Sequence, residues 1–287
     1  MRCTGKKPSD KAAQYRNGGI LFQEETMKRT LVFAAAVTLV SAGLLTGADS
    51  LTGYQIARKV KSANEANTSQ VTAQLKLFTS ASASSPAETR SVSMKSKKIG
   101  EGLKKHVFRF TDSRYRGTTF LSLDNAGSDT TYYLYLNTVG RPRRLSSGEK
   151  QNQFIDTDFT NEELGGFDLD DYTYSRIADI QYNGKPHYRV WCHKKDTSAK
   201  FPKFLAIIDP EKSVIVKVSV YNKAGRIEKV GTFSDLRLVG GKYWVPFGMR
   251  VEDKIRNHAS EIRLSSVVVD RAVSDAYFRP QSMNNPW

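Results

Sequence analysis

Between Phe204 and Asp253 the chain reads FLAIIDPEKSVIVKVSVYNKAGRIEKVGTFSDLRLVGGKYWVPFGMRVED, and this stretch restricts the possible folds more than any other. Val214, Val216, Val218 and Val220 alternate with Ser213, Ile215, Lys217 and Ser219. A period of two puts one row of branched apolar side chains on a single side of a β-strand. Asp-Pro-Glu-Lys from Asp209, Asn-Lys-Ala-Gly from Asn222 and Val-Gly-Gly-Lys from Val239 separate the runs. Proline presets a turn dihedral there, and glycine permits positive φ. Tyr243, Val245, Phe247, Met249 and Val251 continue the alternation, so the stretch predicts an antiparallel meander.

The start of the chain follows different rules. Met27 opens MKRTLVFAAAVTLVSAGLLTGADS, with Lys28 and Arg29 ahead of an apolar run from Leu31 to Leu45 and small residues at Thr46-Gly47-Ala48. This is the pattern of a secretory signal peptide, and the run is short for a membrane-spanning helix of about 20 residues. Translation is expected to begin at Met27, with residues 1–26 a mis-called extension, 27–48 a signal peptide cleaved near Ala48, and 49–287 one domain exported to the periplasm. The competing reading keeps the extension and makes Leu31 to Leu45 an uncleaved anchor. The whole chain carries a formal charge of +15, and removing residues 1–48 leaves +11. That excess points to anionic partners such as a membrane surface. Export and the even spread of Lys and Arg argue against nucleic acid.

The domain opens with a helix pattern in LTGYQIARKVKSANEA, where Ile56, Ala57, Val60 and Ala63 share a face. Strand patterns follow: Val71, Ala73, Leu75 and Leu77 alternate, Phe108 and Phe110 share a side, and Tyr132, Leu134 and Leu136 oppose Tyr133 and Tyr135. Thr160 and Glu163 have capping-box spacing for a short helix. Asp168, Asp170 and Asp171 lack the glycine and glutamate of a calcium loop and read as a solvated turn. Asn183-Gly184 joins two strands as a hairpin. Cys192, between Trp191 and His193, reads as a small buried hydrophobe.

YLYLNTVGRPRRL followed by FIDTDFTNEEL, the early helix, and the closing run from FPKFLAIIDPE through KYWVPFGMRVED to Phe278 resemble the outer-membrane lipoprotein-sorting proteins, relatives of the periplasmic lipoprotein carrier LolA. The resemblance spans roughly Leu51 to Ser282. It implies a mainly β fold with a few helices, an incomplete β-barrel whose strongly curved antiparallel sheet has helices over its concave face. It also implies a hydrophobic hollow for acyl chains. Asn137 and Asp156 depart from the family, standing where proline and glycine are common.

Acyl chains need a dry apolar wall, because each exposed CH2 costs about 0.8 kcal/mol in water. The expected wall is Leu75, Leu77, Phe108, Phe110, Leu134, Leu136, Val216, Val218, Val245, Phe247, Met249, Ile262 and Leu264. Arg141, Arg143 and Arg144 form a basic corner expected to dock on a membrane or a partner. The expected function is a periplasmic carrier that moves an acylated lipoprotein or lipid toward the outer membrane, between an inner-membrane exporter and an outer-membrane acceptor. The alternative is a lipid-sensing regulator on the same fold, acting through a membrane partner. No catalytic residue, metal or cofactor is expected. The histidines His106, His187, His193 and His258 form no ligand-spaced set, and GxSxG, HExxH and phosphate-loop motifs are absent from the sequence.

Overall fold

Alternation becomes sheet along most of the chain. The computed structural model describes residues 51–166 and 168–285. The expected signal peptide and the segment ahead of it lie outside those residues. Among the described residues, thirteen strands form one antiparallel sheet: β1 (Thr68–Phe78), β2 (Glu88–Gly100), β3 (Leu103–Phe110), β4 (Thr119–Asn125), β5 (Ser128–Tyr135), β6 (Pro142–Arg144), β7 (Tyr172–Tyr182), β8 (Lys185–Lys194), β9 (Lys203–Asp209), β10 (Val214–Tyr221), β11 (Ile227–Val239), β12 (Tyr243–Asp253) and β13 (His258–Val269). The order is β6-β5-β4-β3-β2-β1-β13-β12-β11-β10-β9-β8-β7. Every neighbour but the β1–β13 pair is also a neighbour in sequence. Two strands adjacent in the chain, β6 and β7, are therefore the free edges of an open, curved sheet.

One face of this sheet is apolar over most of its width. A row runs from Val190 through Ala206, Val218, Gly231, Val251 and Ser260 to Leu77, and another joins Phe120, Phe108, Met94 and Val71. Helix α1 (Gly53–Ala63) covers the β7–β10 side of this face through Ile56, Ala57 and Val60. Thr52 and Gln55 close its N-terminus as a capping box. A Cβ on Gly53 would lie 2.9 Å from the backbone nitrogen of Arg176, so only glycine lets the helix sit this close to β7. The segment Leu145–Asp171 connects the two edges and covers the rest; it holds α2 (Ser147–Lys150) and α3 (Asn161–Gly165). The predicted cap of α3 forms, with Thr160 accepting from the Glu163 N–H at 3.1 Å and Glu163 from the Thr160 N–H at 2.7 Å.

The opposite, convex face is treated according to its composition. Under β3–β5 it is apolar, and the C-terminal segment covers Val107, Leu121 and Tyr135 with Val273, Phe278 and Met283. On β1 and β2 it carries Thr72, Gln74, Ser91 and Ser93 and needs no cover. No helix among the described residues is long and apolar enough to cross a membrane.

The expected alternation fails at one place. Pairing of β10 with β9 shifts between Ile215 and Lys217, so Ile215 joins Val218 in the cluster under α1 instead of facing away from it. A bulge of this kind adds one residue and reverses the facing of those before it. The preceding turn is fixed by Asp209, which accepts from the N–H groups of Glu211 and Lys212, and by Ser213 at φ 53°. The Asn183-Gly184 turn has the expected form, with φ of 51° and 75°.

Candidate functional site

The concave face carries the site, and a piece of the chain itself fills it. Gln153 bridges to Thr160, the Phe154 N–H donates to Phe159 O at 2.8 Å, and Thr157 Oγ1 donates to Phe154 O at 2.6 Å, making residues 153–160 a tight plug. Phe154 is 1% exposed. Its ring meets Phe108 and Phe120 edge-on at 5.3 and 5.6 Å and stacks on Phe110 at 5.9 Å. Edge-to-face and offset contacts at such distances add to the gain from burial. Ile155 and Asp156 take φ of 40° and 61° to make the bend. Left-handed backbone explains why glycine suits position 156, and aspartate is among the few other residues that adopt it readily.

Polar groups clamp the plug to the sheet. Asp158 is fully buried, and its carboxylate accepts from Ser260 Oγ at 2.8 Å, from His258 Nδ1 at 2.7 Å and from Arg256. Its own N–H donates to Ser260 Oγ at 3.0 Å. On the other flank Arg90, 1% exposed, donates to Ile155 O at 2.7 Å while holding both oxygens of Glu88 at 3.0 and 3.1 Å. Lys229 pairs with Glu163 of α3 at 3.1 Å. Each of these charges is compensated, as burial requires.

The expected wall residues divide into three groups. Leu75, Leu77, Phe108, Phe110 and Ile262 are buried together around Phe154, with Leu134, Met249 and Leu264 at the margin. Val218 belongs to the α1 side. Leu136, Val216, Val245 and Phe247 lie outside both clusters; Val216 sits at the bulge, and Phe247 packs under the Arg237 guanidinium at 4.2 Å. Of the basic corner, Arg143 pairs with Glu149 at 2.6 Å, Arg144 donates to Thr131 Oγ1 at 3.4 Å, and Arg141 is exposed just before edge strand β6. Sequence reasoning missed Phe154, Asp158, Arg90 and Lys229 as parts of the site.

A large hollow among the described residues is polar. A cleft of about 1150 Å³ opens beside α1 and the β4–β5 turn, lined by Lys61, Leu103, Tyr132, Lys150, Leu169 and Asp171 among others. Glu65 on its wall has a side chain 3% exposed; burial raises its carboxyl, but Lys98 at 2.9 Å and Lys104 at 3.0 Å outweigh that and hold it below its ordinary value. Hydrogen bonds from Arg90 do the same for Glu88. Burial, with the Lys104 charge adding to it, pushes His106 down to about 4 from 6.5.

These shifts fix how stability depends on acid. The unfolded chain protonates His106 near 6.5 and the folded chain only near 4, so its contribution is lost as pH falls through that window. Glu65 and Glu88, lowered from 4.5, contribute fully above that value and lose their contribution as pH falls through their folded values. Asp171, raised by burial and then by Asp168, partly offsets this. Thermal melts from pH 8 to 3 should therefore show a midpoint that declines below 6.5 and more steeply below 4.5. His106→Asn should remove the first phase.

The remaining candidate chemistry is structural. Cys192 is buried and its thiol is pushed up to about 12 by burial, as a packed hydrophobe would be. His187 is buried with Nδ1 against Lys185 O at 2.9 Å, and His193 is exposed on the convex side. Among the described residues no three His, Cys, Asp or Glu side chains are grouped to hold a metal ion.

An open antiparallel half-barrel with an apolar concave face under helices and a connecting segment defines a LolA-like fold. A family model described as "-like: Uncharacterized protein" matches residues 102–285, more than half of the chain, and the chain belongs to that family. Solved structures with the same fold include a Vibrio parahaemolyticus domain provisionally described as an outer membrane lipoprotein-sorting protein. It is 23% identical over 81% of this chain and 98% of its own, with a TM-score of 0.75. A DUF1329 family protein from Desulfovibrio piger is 23% identical over 80% and 97% (TM-score 0.74). A LolA superfamily protein from Nitrosomonas europaea is 16% identical over 80% and 98% (TM-score 0.63). No curated protein matches the sequence.

Proposed function

We propose that this protein is a periplasmic carrier that takes an acyl chain of a lipoprotein or lipid onto its concave face by displacing the Phe154 plug, and carries it toward the outer membrane. Residues 49–287 form the mature carrier, delivered by the signal peptide. The observation behind this reading is that, beside α1, the aromatic and aliphatic floor of the half-barrel is closed by a short loop of the same chain, held by Phe154, Ile155 and Phe159 and by a few polar contacts. An acyl chain of roughly 16 carbons gains about 0.8 kcal/mol for each CH2 it buries, on the order of 12 kcal/mol. Uncovering Phe154 and Phe159 costs about 1.5–3 kcal/mol each, and opening the Asp158 clamp adds about 3–5 kcal/mol. The exchange therefore favours loading, while the plug keeps the empty carrier from exposing a sticky face. An exporter loads it and an acceptor with a better apolar site empties it, since a ligand moves only as far as differential affinity takes it.

Gently purified protein is expected to carry lipid in native mass spectrometry. Leu134→Glu places a charge at the margin of the cluster and should reduce the lipid-bound fraction at least tenfold while the circular dichroism spectrum is retained. Protein that emerges lipid-free and binds no fluorescent fatty acid refutes the reading.

A further inference from the structure

The convex face breaks its own rule at one place. Under β3–β5 an apolar convex surface is covered, and on β1–β2 an open surface is polar. On β8–β10 the convex positions are Trp191, Leu205, Ile207 and Tyr221, each half-buried, yet no element among the described residues lies over them, since α1 packs on the opposite face. The register makes them one patch: Trp191 pairs with Leu205, and Tyr221 with Lys203. With neighbouring strands about 4.8 Å apart and alternate residues about 6.7 Å apart, the patch measures about 10 by 13 Å.

Its charge is of one sign. Arg189, Lys203 and Lys217 stand in the same rows, and the residues paired across from these rows on β7 and β11 are Thr173, Ser175, Ile177, Ile227, Val230 and Thr232, none of them acidic, while Glu228 in the bulge beside Ile227 is taken up by Lys200 at 3.3 Å. The Lys203 ammonium lies 5.1 Å from the Trp191 ring and 5.5 Å from the Tyr221 ring, and those rings are 5.2 Å apart. Arg189 Nε is spent on Ala178 O at 2.6 Å. We infer that this convex face of β8–β10 is a docking surface for an anionic phospholipid membrane. The patch lies on the convex face, so it offers no groove to a peptide. Tryptophan and tyrosine rings sit where apolar and wet layers meet, and lysines level with them reach headgroup phosphates. This surface lies on the far side of the sheet from the concave face, so its role stands or falls independently of acyl-chain carriage.

The test is sedimentation of the protein with vesicles of three parts phosphatidylcholine to one part phosphatidylglycerol in 0.1 M salt, with pure phosphatidylcholine as comparison. All variants carry the same N-terminus as the parent chain. The parent is expected to sediment with the anionic vesicles, at least fivefold less with the neutral ones, and to be released at 0.5 M salt because such attraction is screened. Lys203→Glu with Lys217→Glu should lower the bound fraction at least fivefold, and Trp191→Ser should lower it with thermal melting unchanged by more than a few degrees. Should Trp191→Ser unfold the chain, the charge pair decides alone. The proposal is overturned if the parent stays in the supernatant, if the charge pair binds as well as the parent, or if only reversal at Arg141 and Arg144 abolishes binding. Capture by an acidic protein without vesicle binding also overturns it.

Discussion

Replacing Asp158 with alanine should lower the unfolding free energy by about 3–5 kcal/mol. Removing one member of a buried charge network costs this much because the partners stay buried without compensation. Here the partners are Ser260, fully buried, His258 at 2.7 Å, and Arg256, whose side chain is 41% exposed and can partly turn to water. That exposure places the expected value nearer the lower end. A domain of this size shifts its melting midpoint by about 2–4 °C per kcal/mol, so a fall of roughly 10 °C is expected in calorimetry. Asp158→Asn keeps the shape and one acceptor and should recover part of the loss. A change under 1 kcal/mol for Asp158→Ala would show that the clamp does not hold the plug.

Phe154→Ala should cost about 3–5 kcal/mol by a different route. The ring is enclosed by Phe108, Phe110 and Phe120, so its removal leaves a cavity whose walls are themselves buried and cannot collapse freely. Apolar cavities of this kind stay dry and accept small apolar guests. Xenon or benzene should therefore raise the melting midpoint of Phe154→Ala and leave the parent unchanged. Loss of stability without a guest effect would mean that the site repacks.

Much of the fold was legible because local periodicity decides it. The two-residue period in β1, β5 and β12, the Asn183-Gly184 turn and the Thr160–Glu163 cap all depend on neighbours within a few positions. Of the expected wall, Leu75, Leu77, Phe108, Phe110 and Ile262 fall in one buried cluster, because their strands present one apolar side. The rest depends on contacts that no local pattern records. Asp158 meets His258 and Ser260 about a hundred residues away, and either aspartate of FIDTDFT looks like any loop carboxylate. Arg90 in ETRSVSMK reads as an exposed charge until Glu88 and Ile155 O close on it. Phe154 follows a polar run, Gln151-Asn152-Gln153, and its burial comes from the path of the β6–β7 connection rather than from any local periodicity. At Val216 the bulge is hidden because Val214, Ile215 and Val218 are, like Val216 itself, branched and apolar.

Titration with a fluorescent fatty acid, comparing the parent with Phe154→Ala, tests most directly whether plug and acyl chain compete for one face. Removing the ring lowers what the incoming chain must displace, so Phe154→Ala is predicted to bind at least tenfold more tightly than the parent, and Leu134→Glu to bind at least tenfold less. Equal or weaker binding by a folded Phe154→Ala would contradict the account, because the concave floor would then not be where the acyl chain goes.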